Sequence, residues 1–525
     1  MIENLIEDWL TKANERGYEL PFCQVLATRG YDVLHMSSHG PGEHGKDIIA
    51  RAPSSRLETF QLKGGDIRLS TWRKMRGEVE DLVRLPAVYP GIDPNEPHFP
   101  FLVTNGALLG DARENMDRYA RTWSEAGANR LEVLPGTKLK RWFVEAHGRY
   151  LTPPLPDFKS FVSLYAGDFR DRLPRREFTD LLISLCAPER LGRGEREAVR
   201  AIASMTLTAS YVIEQYERVE NHLAAMEGWT IVRAAIMHVV EREGLQSDGW
   251  RTSARIAWEA FVRSAEAFEK EAWCAETYAQ PHRVIAEPRV HGVRVLLILG
   301  WVAALQVLWR TLGRPTRALR DGRALLQGRF KHVRITTEAD WPFVFFLSKY
   351  MTRLWRASEG EHLLSEWLRN LAKGNAPEAA HGVPSPYWLP ERVIELHAGL
   401  LPSHERESFS GRTYTALQAL DMMVRRLRRQ EVSVLWPKVS RLDFCDFRPG
   451  DATEWFRWRA RTGTTVTIER GQPASWSRWR EEVDQQQGED LPEVLREAKQ
   501  WTVPFALVFP HRVNRAFTNW LDQNT

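Results

Sequence analysis

Three residues in a short stretch, Asp47, Gln61 and Lys63, have the types and spacing to do chemistry on a phosphodiester. They lie in the run Gly42 to Gly65, GEHGKDIIARAPSSRLETFQLKGG. Gln61 and Lys63 are two apart, so on a strand both project from one side. A carboxylate and an amide carbonyl are hard oxygen ligands suited to Mg²⁺, with Mn²⁺ able to substitute, while an ammonium can position a water and offset developing charge.

The stretch must fold so that these groups converge. Ile48-Ile49-Ala50 and Thr59-Phe60-Gln61-Leu62 are short apolar runs joined by a polar turn at Pro53-Ser54-Ser55, which predicts a β-hairpin with Asp47 at the start of its first strand. Upstream, Ile2, Leu5, Ile6, Trp9 and Leu10 recur at helical spacing and predict an amphipathic helix to about Asn14. Gly17 is read as a break before a second helix that opens at Tyr18-Glu19-Leu20, with Pro21 in its first turn and Glu19 near the positive end of its dipole. Downstream, Ser70 to Leu85 reads as a helix, Ala87 to Pro100 as a loop, Phe101 to Thr104 as a strand, Asp111 to Ala126 as a helix, with another strand around Leu131. This order predicts a central mixed sheet flanked by helices. Arg68, Arg73, Lys74 and Arg76 fall near the hairpin exit, where basic side chains would meet phosphates or form a solvated helix face. Glu58 alternates away from Gln61 and Lys63 and is expected to be a solvated charge.

Asp47 followed by Gln61-x-Lys63 resembles the PD-(D/E)xK nuclease superfamily in the Q-x-K variant of Mrr-type restriction endonucleases. The neighbouring pieces are similar in order: Tyr18-Glu19-Leu20 leading to Arg29-Gly30-Tyr31-Asp32-Val33, Gly42-Glu43-His44-Gly45-Lys46-Asp47, Phe101-Leu102-Val103-Thr104-Asn105-Gly106, and Leu131-Glu132-Val133-Leu134-Pro135-Gly136 with Leu139. The resemblance covers about Tyr18 to Glu145. It implies an α/β restriction-endonuclease-like domain and Mg²⁺-dependent cleavage of DNA, with Asp47, Gln61, Lys63 and Glu19 catalytic. Asp47, Gln61 and Glu19 would hold the metal, and Glu43 and His44 are candidates for contact with a second metal position or the DNA.

Composition sets the wider frame. With 525 residues, the length points to about three domains. The 43% hydrophobic and 27% charged content describes a soluble globular chain. Its 72 Lys+Arg against 68 Asp+Glu give a net charge of only +4, so bulk charge does not itself argue for nucleic acid. Cys23, Cys186, Cys274 and Cys445 form no C-x-x-C pair, which argues against a zinc ribbon or disulfide framework and for a reducing compartment. The start MIENLIEDWL lacks a signal peptide's character, so a cytoplasmic location is expected. Val295 to Trp309 is strongly apolar, but shorter than the ~20 residues a bilayer needs, and reads as a buried helix, with no membrane expected.

Residues 1–150 are therefore read as the nuclease-like domain with its N-terminal helix and, past a proline-rich connector at 151–157, residues 158–430 as mainly helical. Residues 431–525 are read as a small α/β unit with strands at Val432–Leu435, Thr464–Ile468 and Phe505–Phe509. Arg310, Arg314, Arg317, Arg320, Arg323, Arg329, Lys331 and Arg334 form the densest basic stretch, and Arg317, Arg320 and Arg323 are carried as candidate nucleic-acid contacts. The helical region suits sensing, or assembly as a homo-oligomer or with a partner defence protein. The leading expectation is an anti-phage or restriction endonuclease acting on DNA. The competing ones are an inactive nuclease fold that binds nucleic acid or scaffolds, and a nuclease for RNA or branched DNA.

Overall fold

The computed structural model describes residues 2–274 save 37–44, 148–154 and 192–193. Beyond these it describes 288–317, 321–322, 325, 338–354, 357–374, 412–413, 415–425, 429–440, 442–447, 449–457, 467–470, 475–485 and 491–524. Glu43, His44, Arg320, Arg323, Arg329, Lys331, Arg334 and the connector at 151–154 lie outside the described residues.

Two helices, α1 (Ile2–Lys12) and α2 (Glu15–Thr28), precede a five-stranded mixed sheet. Its strands β1 (Asp32–Met36), β2 (Ile48–Arg51), β3 (Leu57–Lys63), β4 (His98–Thr104) and β5 (Glu132–Leu134) stand in sequence order. β1, β2 and β3 pair antiparallel, whereas β3, β4 and β5 pair parallel. The parallel steps need crossovers, supplied by α3 (Leu69–Arg84) and α4 (Gly110–Glu125). A helix α5 (Gly136–His147) follows.

Both faces of the sheet are covered. On one, Phe60 stacks on Phe101 at 5.1 Å and meets Phe22 of α2 edge-on at 5.6 Å. On the other, Leu102 joins Trp72, Met75, Val79 and Val83 of α3 with Met116 and Trp123 of α4. Burying each such side chain contributes roughly 1.5–3 kcal/mol. This double cover corrects the reading of Glu58. It does alternate away from Gln61, but the face it joins is packed: Glu58 is 1% exposed, accepting from the Tyr31 hydroxyl at 3.0 Å and from Arg56 at 2.8 Å.

The second helix also differs from expectation. Asn14 caps it by accepting from Gly17 N at 2.8 Å, so Gly17 lies inside the first turn rather than breaking the chain. Pro21 and Glu19 therefore sit in the helix body, and a dipole role for Glu19 falls away.

The chain divides into two compact units, residues 1–264 and 265–525. In the first, helices α6 (Leu155–Tyr165), α7 (Arg175–Leu185), α8 (Glu195–Arg218), α9 (His222–Glu243) and most of α10 (Arg251–Cys274) follow the sheet domain, with α8 packed on α2 and α7 and α9 packed with α8. Trp9 Nε1 donates to Glu214 of α8 at 2.7 Å, and Arg255 of α10 donates to the backbone oxygen of Leu34 at 3.1 Å.

The second unit, in its described residues, is mostly helical, with a three-stranded sheet of Arg412–Thr413, Asp443–Phe447 and Thr467–Arg470. The helix Pro288–Thr311 contains the apolar run at Val295. It and α9 are long and apolar enough to cross a membrane, yet 83% and 94% of their apolar windows are buried within the fold. Two of the expected C-terminal strands are helical instead. Val432–Leu435 lies in the helix Arg429–Val439, and residues 505–508 fall in the helix Lys499–Val508, which Phe509 caps. Trp436, Trp455, Trp479 and Trp501 are core residues, with Trp436 stacked on Trp479 at 5.3 Å.

Candidate active site at the end of β3

The hairpin forms as its pattern predicts, closed by Ser55 N donating to Ala52 O at 2.8 Å, with Ser55 taking φ 65°. Ile48 opposes Phe60, and Asp47, one residue before β2, donates its backbone N–H to Phe60 O at 2.9 Å. Gly45 lets the turn before Asp47 approach α3: it has φ +70°, and a Cβ there would lie 2.5 Å from the Glu78 carbonyl oxygen. β3, which carries Gln61 and Lys63, and β2, which Asp47 immediately precedes, are interior to the sheet, so the cluster stands at the end of β3 and not at an outer strand.

Asp47 Oδ2 accepts the Leu62 N–H at 2.6 Å across the hairpin. Burial pushes the Asp47 carboxyl up to about 6; the Leu62 bond and the Lys63 charge oppose this, while Glu19 and Glu15 add to it. Gln61 is 2% exposed, its Nε2 donates to Glu78 Oε2 at 3.1 Å, and its carbonyl Oε1 is buried with no hydrogen bond among the described residues. Lys63 Nζ lies 2.9 Å from the same Glu78 oxygen and 3.7 Å from Glu15 Oε2. Burial works against the lysine's charge, but the bond to Glu78 and the charges of Glu15, Glu78 and Asp47 outweigh it and hold the ammonium above the usual lysine range. Tyr18 braces the strand end, its hydroxyl donating to Lys63 O at 2.9 Å and accepting from Lys63 N at 3.1 Å.

Glu19 is 2% exposed, and its Oε2 accepts from Arg263 Nη1 of α10 at 3.3 Å. It influences Asp47 through its charge. Among the described residues no group of three His, Cys, Asp or Glu side chains converges as a ready metal-ligand set.

The residues present nevertheless fit a divalent cation. A desolvated carboxylate whose ionised form is disfavoured and, at the same strand end, a buried carbonyl oxygen with no donor among the described residues are features that a hard cation would relieve. Around them Glu15, Glu19, Asp47 and Glu78 outnumber Lys63 and the Arg263 that pairs with Glu19, so a phosphate would be repelled without a further positive charge.

Glu15, Glu78 and Arg263 were not found by sequence reasoning. Glu15 had a local signal, being one helical turn before Glu19. Glu78 and Arg263 come from α3 and α10, 15 and 200 residues past Lys63 by numbering, and nothing adjacent to them marks the role. The proposed phosphate contacts Arg68, Arg73, Lys74 and Arg76 are all exposed. Arg68 is at the N-cap of α3, Lys74 lies one turn before Glu78, and Arg76 is drawn to Tyr119, donating to its hydroxyl at 2.7 Å. In the second unit Arg317 is exposed with its guanidinium 5.9 Å from the Trp273 ring, and Arg314 pairs with Glu266 at 3.4 Å. Comparison of the chain with protein-family models, curated proteins and solved structures finds no match in any of the three.

Proposed function

We propose that the N-terminal domain is a restriction-endonuclease-like nuclease of the PD-(D/E)xK kind that hydrolyses DNA phosphodiester bonds with Mg²⁺. The observation that carries this reading is the gathering of Asp47, Gln61 and Lys63 at the end of β3, where the Asp47 carboxylate accepts the N–H of Leu62, the residue between the other two, and the Gln61 carbonyl is buried and unpartnered among the described residues. A five-stranded sheet with antiparallel β1–β2–β3 and parallel β3–β4–β5 supports it.

Asp47 and the Gln61 carbonyl would hold the cation, with Glu19 as the additional acid. The bound metal would supply Lewis-acid polarisation of the phosphate and a more acidic water. Lys63 carries the protein's own part, orienting the attacking water and offsetting charge that builds on the phosphate. Glu78 is a positioning residue, fixing the Gln61 amide and the Lys63 ammonium on one carboxylate oxygen. Arg68, Arg73 and Lys74 on the exposed side of α3 suit DNA phosphates. A cytoplasmic setting is part of the proposal, supported by the buried free thiols of Cys23 and Cys186. So is a role in restriction or phage defence, with the helical region sensing or assembling.

The test is cleavage of linear, supercoiled and methylated DNA and of RNA, with and without Mg²⁺. Asp47→Ala should lose both metal affinity and cleavage, whereas Lys63→Ala should keep metal binding and slow single-turnover cleavage by ~10²–10⁴. Wild-type rates in Asp47→Ala would end the reading at this site.

A further inference from the structure

Helix α10 reaches the sheet domain through a stripe of polar contacts. Thr252 Oγ1 donates to Asp32 Oδ1 at 3.0 Å, Arg255 donates to Asp32 Oδ1 at 2.5 Å and to Leu34 O at 3.1 Å, and Arg263 donates to Glu19 Oε2 at 3.3 Å. Glu259 lies between the two arginines along the same stripe, and its charge is felt at Cys23 together with those of Glu19, Arg263 and Arg255. The spacing 252, 255, 259, 263 is one face of the helix. Arg263 thus reaches the buried acid of α2 that also acts on Asp47.

We infer that Arg263 is a latch on the metal site: it holds Glu19 on α10, and a divalent cation at Asp47 must compete with that ion pair for the Glu19 carboxylate. This rests on the nuclease reading. Arg263 engages Glu19 through Oε2, and a divalent cation drawn to the same carboxylate would be repelled by that guanidinium. Taking Arg263 away leaves Glu19 buried with less counter-charge in the metal-free protein, which raises the energy of that state and favours the metal. The coupling is reciprocal, so metal must in turn loosen the hold of α10 on α2.

The test uses the full chain without nucleic acid. Mn²⁺ is titrated calorimetrically into the wild type, Asp47→Ala, Arg263→Gln, Glu19→Gln and the Arg263→Gln/Glu19→Gln double variant. The expected result is that Arg263→Gln binds Mn²⁺ about fivefold or more tightly than wild type, and that this gain vanishes in the Glu19→Gln background. Unchanged or weaker binding in Arg263→Gln overturns the latch, as does a gain that persists without the Glu19 carboxylate. Should Arg263→Gln fold poorly, hydrogen exchange on the wild type decides: Mn²⁺ should speed exchange of backbone amides across 251–264, and unchanged or slower exchange overturns the latch. The two readings fail differently. Binding that Asp47→Ala abolishes but that is insensitive to Arg263 removes the latch alone, while binding unaffected by Asp47→Ala removes the metal site and the latch with it.

Discussion

Two acids of the first unit, the buried Glu227 and the half-buried Asp47, stand in opposite electrostatic circumstances. Glu227 of α9 is fully buried and meets two guanidiniums: Arg172 Nη2 donates to its Oε1 at 2.7 Å, and Arg175 donates to both of its oxygens. Burial alone would push its carboxyl up, but Arg172 and Arg175 outweigh burial and hold it below the usual range. Asp47 has one backbone N–H and the partial help of a lysine that is itself bonded to Glu78, and burial wins, raising it to about 6. Glu227 is a saturated ion cluster that ties the start of α7 to α9. Asp47 sits in a cluster whose positive charge is short and whose Gln61 carbonyl lacks a donor among the described residues. Desolvation acts on both, so it is the deficit in partners that separates a site awaiting something from a structural brace.

The largest effect expected from this contrast is on stability at the saturated acid. Glu227→Ala leaves Arg172 and Arg175 facing each other without their shared carboxylate, and should cost about 3–5 kcal/mol in chemical denaturation. A loss below about 1 kcal/mol would mean the cluster is not a brace, because exposed pairs are worth no more than that.

The next effect runs the other way. Asp47 is raised from 3.8 to about 6, so the folded chain holds its proton more tightly than the unfolded chain does. Below about 4 the group is neutral in both states and has no net effect. As pH rises from about 4 to about 6 the unfolded state ionises first, and stability falls until Asp47 also ionises in the fold. At pH 7 and without metal, Asp47→Asn should therefore stabilise the protein by about 1 kcal/mol or more, with the gain absent at pH 4. Divalent-metal affinity should fall below about pH 6, by up to about tenfold per unit, as metal competes with one proton. A thermal midpoint for Asp47→Asn that is unchanged or lower at pH 7 would contradict the burial cost assigned to this group.

How much of this was legible in the sequence depends on whether a residue's partner is local. The hairpin, its turn and the shared face of Gln61 and Lys63 follow from alternation within 24 residues, Gly42 to Gly65, and helices such as Glu195–Arg218 follow from spacing. The misses are cases where tertiary burial reinterprets a short pattern. Val432-Ser433-Val434-Leu435 alternates like a strand, but Val432, Leu435, Trp436 and Val439 are buried at helical spacing while Val434 is 76% exposed, so the longer period wins. Phe505 to Phe509 is an uninterrupted apolar run, which strand and buried helix share; Trp501 to Val508 is buried throughout, and the helix takes it. Glu58 could be given its face but not the cover on that face. Glu78 and Arg263 complete the site from distant helices, and a single sequence carries no period that joins them to β3.

The smallest effect tests the partner deficit at Gln61 itself. Its Nε2 has a hydrogen bond to Glu78, whereas its Oε1 is buried without one among the described residues, so the amide in the metal-free protein gains from one end and is penalised at the other. Gln61→Leu removes both, and its effect on metal-free stability should lie within about 1 kcal/mol, since the lost hydrogen bond and the relieved desolvation are of similar size. In the same variant Mn²⁺ affinity should drop, though by less than in Asp47→Ala, because a neutral carbonyl is a weaker ligand than a carboxylate. Gln61→Glu supplies a charged ligand at the same position and should bind Mn²⁺ at least as tightly as wild type, but it also sets a second carboxylate against Glu78 and should lower the metal-free thermal midpoint. The paired readings decide the matter. If Gln61→Leu destabilises the metal-free protein by several kcal/mol and leaves Mn²⁺ affinity unchanged, then the carbonyl is serving the fold, and Asp47 and Gln61 do not form one metal site.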